Sequence, residues 1–288
     1  MLKLQGRQLA PRDVQDIREL IALHPQWTRW RLSQMLARQW DWHNGAGQLK
    51  DMAARTLLLK LQQRGLVVLP PRRTQPTNRM RCLPVLSVSW EQQPLEGTLA
   101  SVQPLRIQEI SGDPTARQLL ASALTQWHYL SHGGTVGENL QYTLWGPSNR
   151  PLAFVLFGAP AWKCQDRDRF LGWTAEQRES HLGLIANNSR FLVLPWVKVP
   201  GLASWLLSRI SQRLSQDWQR KYGHRIVLLE SFVQQDRFAG RAYQAAHWQK
   251  VGTTTGRTRQ DRYAQIHAPV KDIYLRPLAA DFRKALEI

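Results

Sequence analysis

The chain is poor in cysteine and has no long apolar run. Cys82 and Cys164 are the only cysteines among 288 residues, and their wide separation excludes a disulfide scaffold and a zinc finger. No run of about 18 apolar residues predicts a membrane span, and residues 1–12 lack the apolar segment of a signal peptide. These absences predict a cytoplasmic protein without a membrane partner.

Acidic residues are scarce as well. The 21 Asp and Glu residues face 39 Lys and Arg residues, which gives a formal net charge of +18 and a pI near 10.8. With 43% hydrophobic residues, the composition is that of a globular protein. Such an excess of cations favours a polyanionic partner, first DNA and otherwise RNA. The alternative is that the charge serves solubility alone.

The N-terminal part predicts a winged helix-turn-helix over residues 1–73. Apolar periodicity and capping residues predict helices at 11–23, from Thr28 to about Gln39, and at 48–64, followed by a strand at 66–69. The third helix leaves only a narrow polar strip, so we expect phosphate contacts more than base reading. The residues expected to make these contacts are Arg55, Arg72 and Arg73. A protein-docking module is the alternative.

Residues 74–104 predict a linker, because Pro, Gly, Thr and Asn recur there. The second domain, residues 105–288, contains the most informative stretch, in which a short apolar strand ends at Pro195 and an amphipathic helix begins after Gly201. Free N–H groups at a helix N-terminus suit an anion, and Arg190 and Lys198 add charge nearby. An ordinary strand-to-helix crossover is the alternative.

The order of predicted elements in the second domain is that of a mixed α/β (α+β) fold and resembles GNAT-like acetyltransferase folds. The apolar patterns predict helices at 114–130, 175–185, 237–247 and 279–286, with 159–173 irregular. They predict strands at 140–145, 152–157, 226–233, 248–253 and 273–275. The GNAT pyrophosphate loop is represented only by Gly201 and Ala203, in shifted spacing.

Three residues are candidates for catalysis: Asp168, Glu230 and Tyr243. A carboxylate inside a buried strand, as at Glu230, is costly unless it is paired or used. Paired carboxylates suit Mg²⁺, and a GNAT-like fold suits acyl-CoA. The alternative is ion pairing, in which Asp166 and Asp168 neutralise the alternating Arg167 and Arg169 and the chain needs no metal or cofactor.

The stretch from Gly252 to Arg259 offers backbone, hydroxyl and guanidinium donors for phosphates. Arg257 and Arg259 are therefore candidate nucleic-acid contacts. Trp173, Trp196 and Trp248 are candidates to stack on unpaired bases, with core packing as the alternative.

Blocks along almost the whole chain resemble the DruA component of the Druantia anti-phage system and a related domain of some transposases. The blocks lie at Trp40–Trp42, Gly47–Ala53, Trp127–Leu130, Arg167–Trp173, Asn187–Pro195, Leu202–Ser204, Glu230–Val233, Tyr243–Trp248 and Gly252–Arg257. The family pattern continues the Glu230 block with Asp, where this chain has Gln234, which weakens a two-carboxylate metal site.

The resemblance implies a part in phage defence or in mobile-element DNA handling, with other defence proteins as partners. Together with the charge, it predicts a protein that grips duplex or distorted DNA mainly through phosphates. One alternative is an enzyme that modifies nucleic acid, either a GNAT-like transferase or a metal-dependent nuclease. Another is a scaffold whose charge serves assembly.

Overall fold

The computed structural model describes residues 2–43, 47–71, 88–256 and 268–287. It divides the chain into two compact units, residues 1–78 and 79–288.

The first unit is built from a hairpin and helices. Its described elements are β1 (Leu2–Leu4), β2 (Arg7–Leu9), α1 (Pro11–Leu23), α2 (Arg29–Gln39) and α3 (Asp51–Gln63). The side chain of Thr28 accepts the Arg31 N–H at 3.1 Å and so begins α2 as predicted. Gly65, at φ +68°, follows the end of α3. Leucines from all three helices form the core, together with Leu4 and Leu9 of the hairpin.

The predicted wing strand at 66–69 is wrong, because residues 66–71 form no strand. Val67 and Leu69 instead pack into the core of the unit, so their apolar character reflects burial without strand pairing. The hairpin β1–β2 was not predicted, since two three-residue strands carry too little periodicity. Arg72 and Arg73 lie outside the described residues.

The second unit is organised around a seven-stranded mixed sheet. The described strands of the whole unit are β3 (Leu95–Glu96), β4 (Arg106–Glu109), β5 (Leu140–Trp145), β6 (Pro151–Gly158), β7 (Ile185–Val193), β8 (Val197–Lys198), β9 (Leu228–Gln234), β10 (Gln249–Thr253) and β11 (Lys271–Pro277). The large sheet has the order β10-β11-β9-β7-β6-β5-β4, and β3 pairs separately with β8. Neighbours in the large sheet are antiparallel except β7 and β9, which are parallel. The prediction of a mixed α/β fold is therefore confirmed.

Helices of the second unit pack on two core clusters. The described α-helices of this unit are α4 (Pro114–Trp127), α5 (Gln165–Leu171), α6 (Ala175–His181), α7 (Leu202–Tyr222), α8 (Arg241–Ala245) and α9 (Phe282–Ala285). The larger cluster joins α4 and α7 to the sheet, and the smaller one joins α5 and α9 to it. The predicted apolar stripe of α7 is buried at Leu206, Leu207, Ile210 and Leu214.

Two segments differ from the sequence prediction in ways that shape the site. The stretch predicted as irregular contains α5, whose apolar residues are few because Arg167 and Asp168 occupy its buried side. Strand β7 begins at Ile185, six residues before the predicted apolar run, because its polar half is paired on both sides by β6 and β9.

The described part of the predicted linker is packed into the second unit. β3 lies within it and pairs in parallel with β8, and the Trp90 ring contacts the rings of Trp127 and Phe154. Residues 88–104 therefore belong to the second unit.

Candidate functional site

Strands β7 and β9 diverge and open a cavity between them. They pair from Ile185 with Leu228 to Asn188 with Ser231, and both strands then continue without pairing to each other. Pairing of β9 with β11 and of β7 with β6 persists along the divergent parts. The cavity has a volume of about 810 Å³, within the usual range for small-ligand sites.

The charge around this cavity is of one sign. Arg190, Arg237, Arg241 and Lys271 line it, and the described lining residues include no Asp or Glu. None of these four cations has an ion pair with a described residue. A cationic cavity without counter-charge is suited to an anionic ligand.

Arg190 is held by backbone carbonyl groups. Its Nε donates to the Ser131 carbonyl at 2.8 Å and its Nη1 donates to the Ser189 carbonyl at 2.7 Å. Nη2 donates to no other described residue, so one edge of the guanidinium remains for a ligand. Burial lowers the pKa of Arg190 from its ordinary value, yet an arginine keeps its charge at any physiological pH.

Lys271 is the second partly buried cation. Burial lowers its pKa, and the positive charge of Arg190 lowers it further. The neighbouring carboxylate, Asp272, is bound instead by the Lys250 ammonium at 2.7 Å and by the Gln235 amide at 2.6 Å. The positive charges of Arg190 and Lys271 therefore repel each other, and a bound anion would offset this repulsion.

His128 lines the same cavity as a neutral donor. Burial lowers its pKa to about 4, with a further contribution from Arg190. Its Nδ1 accepts the Leu130 N–H at 3.1 Å, so the neutral ring carries its proton on Nε2.

We predict that the His128 ring shifts in an NMR titration show no midpoint between pH 5 and 8. Replacing Arg190 with Gln removes a nearby cation, so the pKa of His128 should rise but stay below 6.5, because burial is the larger cause. Arg225→Gln, which removes an exposed cation paired with Asp281, should leave the titration unchanged. A His128 midpoint near 6.5 in the native protein would show that the imidazole is not desolvated.

Aromatic side chains form part of the cavity wall and mouth. The rings of Tyr129 and Phe238 lie 5.5 Å apart at an angle of 55°, and the guanidinium of Arg237 lies 5.2 Å from the centre of the Tyr129 ring. Phe238 is 49% exposed, so about half of its side chain is accessible in the cavity lining.

Tyr243, a predicted catalytic residue, lies buried in the cavity wall. Its hydroxyl donates to Asn188 Oδ1 at 2.7 Å and accepts from the Ser231 hydroxyl at 3.1 Å. Burial raises the pKa of Tyr243, so the phenol stays protonated. These bonds tie β7, β9 and α8 together where the strands diverge.

The other two predicted catalytic residues, Glu230 and Asp168, meet at Arg167. Arg167 Nη1 donates to Glu230 Oε2 at 2.8 Å and Nη2 donates to Asp168 Oδ1 at 2.7 Å. The Ala161 N–H donates to Glu230 Oε1 at 2.6 Å. Burial raises the pKa of Glu230, and Arg167 opposes that shift. The structure brings Glu230 and Asp168 together with Arg167, but none of the three lines the cavity.

The predicted nucleic-acid contacts are not gathered in one place. Arg190 lines the cavity, whereas Lys198 pairs with Glu96 at 3.1 Å. Arg55 lies in α3 with its Nε buried and without a partner among the described residues. Arg257 and Arg259, like Arg72 and Arg73, lie outside the described residues.

The tryptophans considered for base stacking are buried. Trp173, Trp196 and Trp248 are at most 9% exposed, so core packing is the correct interpretation for them. Sequence reasoning missed the half-buried Tyr129 ring and the exposed Phe238 ring of the cavity. The only signal was the Tyr129 position in a family-like block.

Comparison with models of known protein families shows the family to which this chain is related. Residues 87–266, more than half of the chain, match the family model described as Druantia protein DruA. The chain belongs to the DruA family. The DruA match includes every cavity-lining residue except Lys271, and residues 1–78 lie outside it. No curated protein matches the chain.

Solved structures similar to this DruA-family chain include acetyltransferases. Spermidine/spermine N-acetyltransferase SpeG from Vibrio cholerae matches with a TM-score of 0.40 and 8% identity, over 62% of this chain and 96% of that one. A putative acetyltransferase from Acinetobacter baylyi ADP1 matches with a TM-score of 0.39 and 10% identity, over 60% and 93% of the chains. A putative N-acetyltransferase from Lactobacillus plantarum matches with a TM-score of 0.37 and 14% identity, over 62% and 100%.

Two further features bear on the predicted partners. The described part of this DruA-family chain contains no group of three or more His, Cys, Asp or Glu placed to hold a metal ion. In the same residues, no helix has the length and apolar character required to cross a membrane.

Proposed function

We propose that this chain is the DNA-binding component of a cytoplasmic anti-phage defence system, acting with other defence proteins. It grips duplex or distorted DNA mainly through phosphate contacts, and the cavity between β7 and β9 is a principal contact. The observation that carries the proposal is the pair of unpaired, partly buried cations, Arg190 and Lys271, in a cavity lined by no described acidic residue.

The electrostatics favour a polymer of phosphates. A formal charge of +18 raises the local concentration of any polyanion, and the exposed Arg237 and Arg241 extend the positive field from the cavity to the surface. Family membership supports the defence role, because the matched family is that of Druantia protein DruA.

The first unit is proposed to serve the same function as a helix-turn-helix module. It contains three helices, α1, α2 and α3, as such DNA-binding modules do. Arg55, Arg72 and Arg73 are the proposed phosphate contacts of this unit, and Arg257 and Arg259 are proposed contacts of the second unit.

DNA binding is tested by fluorescence anisotropy of labelled duplex and single-stranded DNA over a series of salt concentrations. We expect log Kd to rise linearly with log salt, as counterion release requires. The double variant Arg190→Gln/Lys271→Gln should bind about 10- to 100-fold more weakly and reduce the salt slope by about 1 to 2.

The matched control is Arg225→Gln, which removes the same type of charge from an exposed pair with Asp281. It should change affinity much less than the double variant of the cavity. The proposal is wrong if the native protein fails to bind DNA in low salt. The proposed cavity contact is wrong if the double variant loses no more binding free energy than twice the loss of the single-charge control.

The second candidate function is an enzyme that modifies nucleic acid, and the divergence of the parallel strands β7 and β9 favours it. In this alternative the GNAT-like second unit uses acyl-CoA, or a nuclease uses Mg²⁺, with Glu230, Asp168 and Tyr243 as catalytic residues. Incubation of DNA with acyl-CoA or with Mg²⁺, followed by mass spectrometry and a nicking assay, separates the two functions. A product that Glu230→Gln abolishes, in a variant that remains folded, would favour the enzyme.

A further inference from the structure

The cavity combines two kinds of binding surface. Arg190 and Lys271 provide partly buried positive charge, while the half-buried Tyr129 and the exposed Phe238 provide an aromatic pair in its lining. A ligand that satisfies both must carry an anion and an aromatic ring in one unit.

A fully paired duplex satisfies only the cations. Its phosphates lie on the outside, but its bases are stacked and have no free aromatic face. A nucleotide that is unpaired, at a strand end, a gap or a mismatch, exposes its base for stacking on a side-chain ring. The cavity volume of about 810 Å³ suits one such unit, since small-ligand sites of this type are about 300–1,000 Å³.

The ring pair is also prepared electrostatically for this role. The guanidinium of Arg237 lies over the Tyr129 ring at 5.2 Å, so it adds positive charge next to the ring pair. The 49% exposed Phe238 ring offers the more open aromatic surface. His128 adds an Nε2–H donor to the same wall, since its Nδ1 is occupied by the Leu130 N–H.

We infer that the cavity binds an unpaired nucleotide of a DNA strand, with its phosphate on Arg190 and Lys271 and its base against Tyr129 and Phe238. This inference rests on the proposed DNA-binding function and names the DNA structure that the cavity selects.

The first test compares a fully paired duplex with the same duplex containing one unpaired nucleotide, by anisotropy at fixed salt. The native protein should bind the second DNA about tenfold more tightly. The double variant Tyr129→Leu/Phe238→Leu keeps apolar side chains but removes the rings, so it should lose this preference and keep its affinity for the paired duplex. Trp162→Leu removes an equally exposed ring outside the cavity and should keep the preference.

The second test places 5-iodouracil at the unpaired position and identifies photocrosslinked residues by mass spectrometry. Crosslinks to Tyr129 or Phe238 support the inference, and the same base in a paired position should give none there. Duplex binding that depends on Arg190 and Lys271, but shows no preference and no such crosslink, overturns the inference while the proposed function stands. Failure to bind any DNA overturns both.

Discussion

Replacing Arg167 with alanine is expected to lower the free energy of unfolding of the second unit by about 3–5 kcal/mol. Arg167 and Glu230 are both 0% exposed, and the guanidinium also binds Asp168 and the Ala161 carbonyl. Its removal leaves a fully buried carboxylate without its counter-charge. Urea denaturation followed by tryptophan fluorescence measures the loss.

Two further variants separate the lost charge from a general packing defect. Arg169→Ala removes the next arginine along the chain, which is exposed and pairs with Asp166 at 3.3 Å, and should cost at most about 1 kcal/mol. Adding Glu230→Gln to Arg167→Ala removes the uncompensated charge and should recover part of the loss. If the stability loss of the double variant equals the sum of the losses of Arg167→Ala and Glu230→Gln, the ion-pair explanation is contradicted.

The loss should also depend on pH. Without Arg167, burial raises the folded-state pKa of Glu230 above its ordinary value of 4.5. A group with a raised folded pKa contributes stability below the unfolded pKa and loses it as pH rises. The difference in stability between the variant and the native protein should therefore be smallest below about pH 4.5 and largest at neutral pH.

Replacing Gly240 with alanine is expected to cost about 2–4 kcal/mol and to disturb the cavity. Gly240 precedes α8 with φ +69°, and a Cβ atom there would lie 2.1 Å from the Tyr274 hydroxyl oxygen. That hydroxyl accepts a hydrogen bond from the Gln244 amide at 3.1 Å, and the Tyr274 ring stacks on Tyr243 at 5.5 Å. The clash therefore displaces groups that position the cavity wall.

Gly223→Ala is the matched control for backbone strain. Gly223 ends α7 with φ +80°, and its Cβ position is open space, so this variant should cost only about 1 kcal/mol. Equal losses for the two variants would mean that strain, and not the contact with Tyr274, determines the effect. Thermal unfolding and DNA affinity should be measured for both.

Regular elements were predictable where the sequence carries a local signal. Pro11, Thr28 and Gly65 mark the ends of helices in the first unit, and the apolar stripe of α7 repeats at helical spacing over three turns. Local signals failed where polar residues are buried. In β7, Asn187 and Asn188 pair with neighbouring strands, and α5 buries Arg167 and Asp168.

The candidate site was only partly predictable for a similar reason. Arg190 was identified because it adjoins a strand and a helix N-terminus. Lys271 lies 81 positions later, as the first residue of a strand whose predicted core began at Ile273, and no local pattern connects it with Arg190. Their proximity depends on the sheet order, in which β9 lies between β7 and β11.

By itself, the sequence determined a basic, globular, mixed α/β protein of the DruA type, because charge balance, apolar periodicity and family-like sequence blocks are local or additive properties. Only the tertiary structure decided which charged residues are neutralised and which remain free. Glu230 and Asp168 are bound by Arg167, whereas Arg190 and Lys271 meet without an acidic neighbour in the described cavity wall. Such pairing depends on distances between residues far apart in sequence, which composition and spacing do not contain.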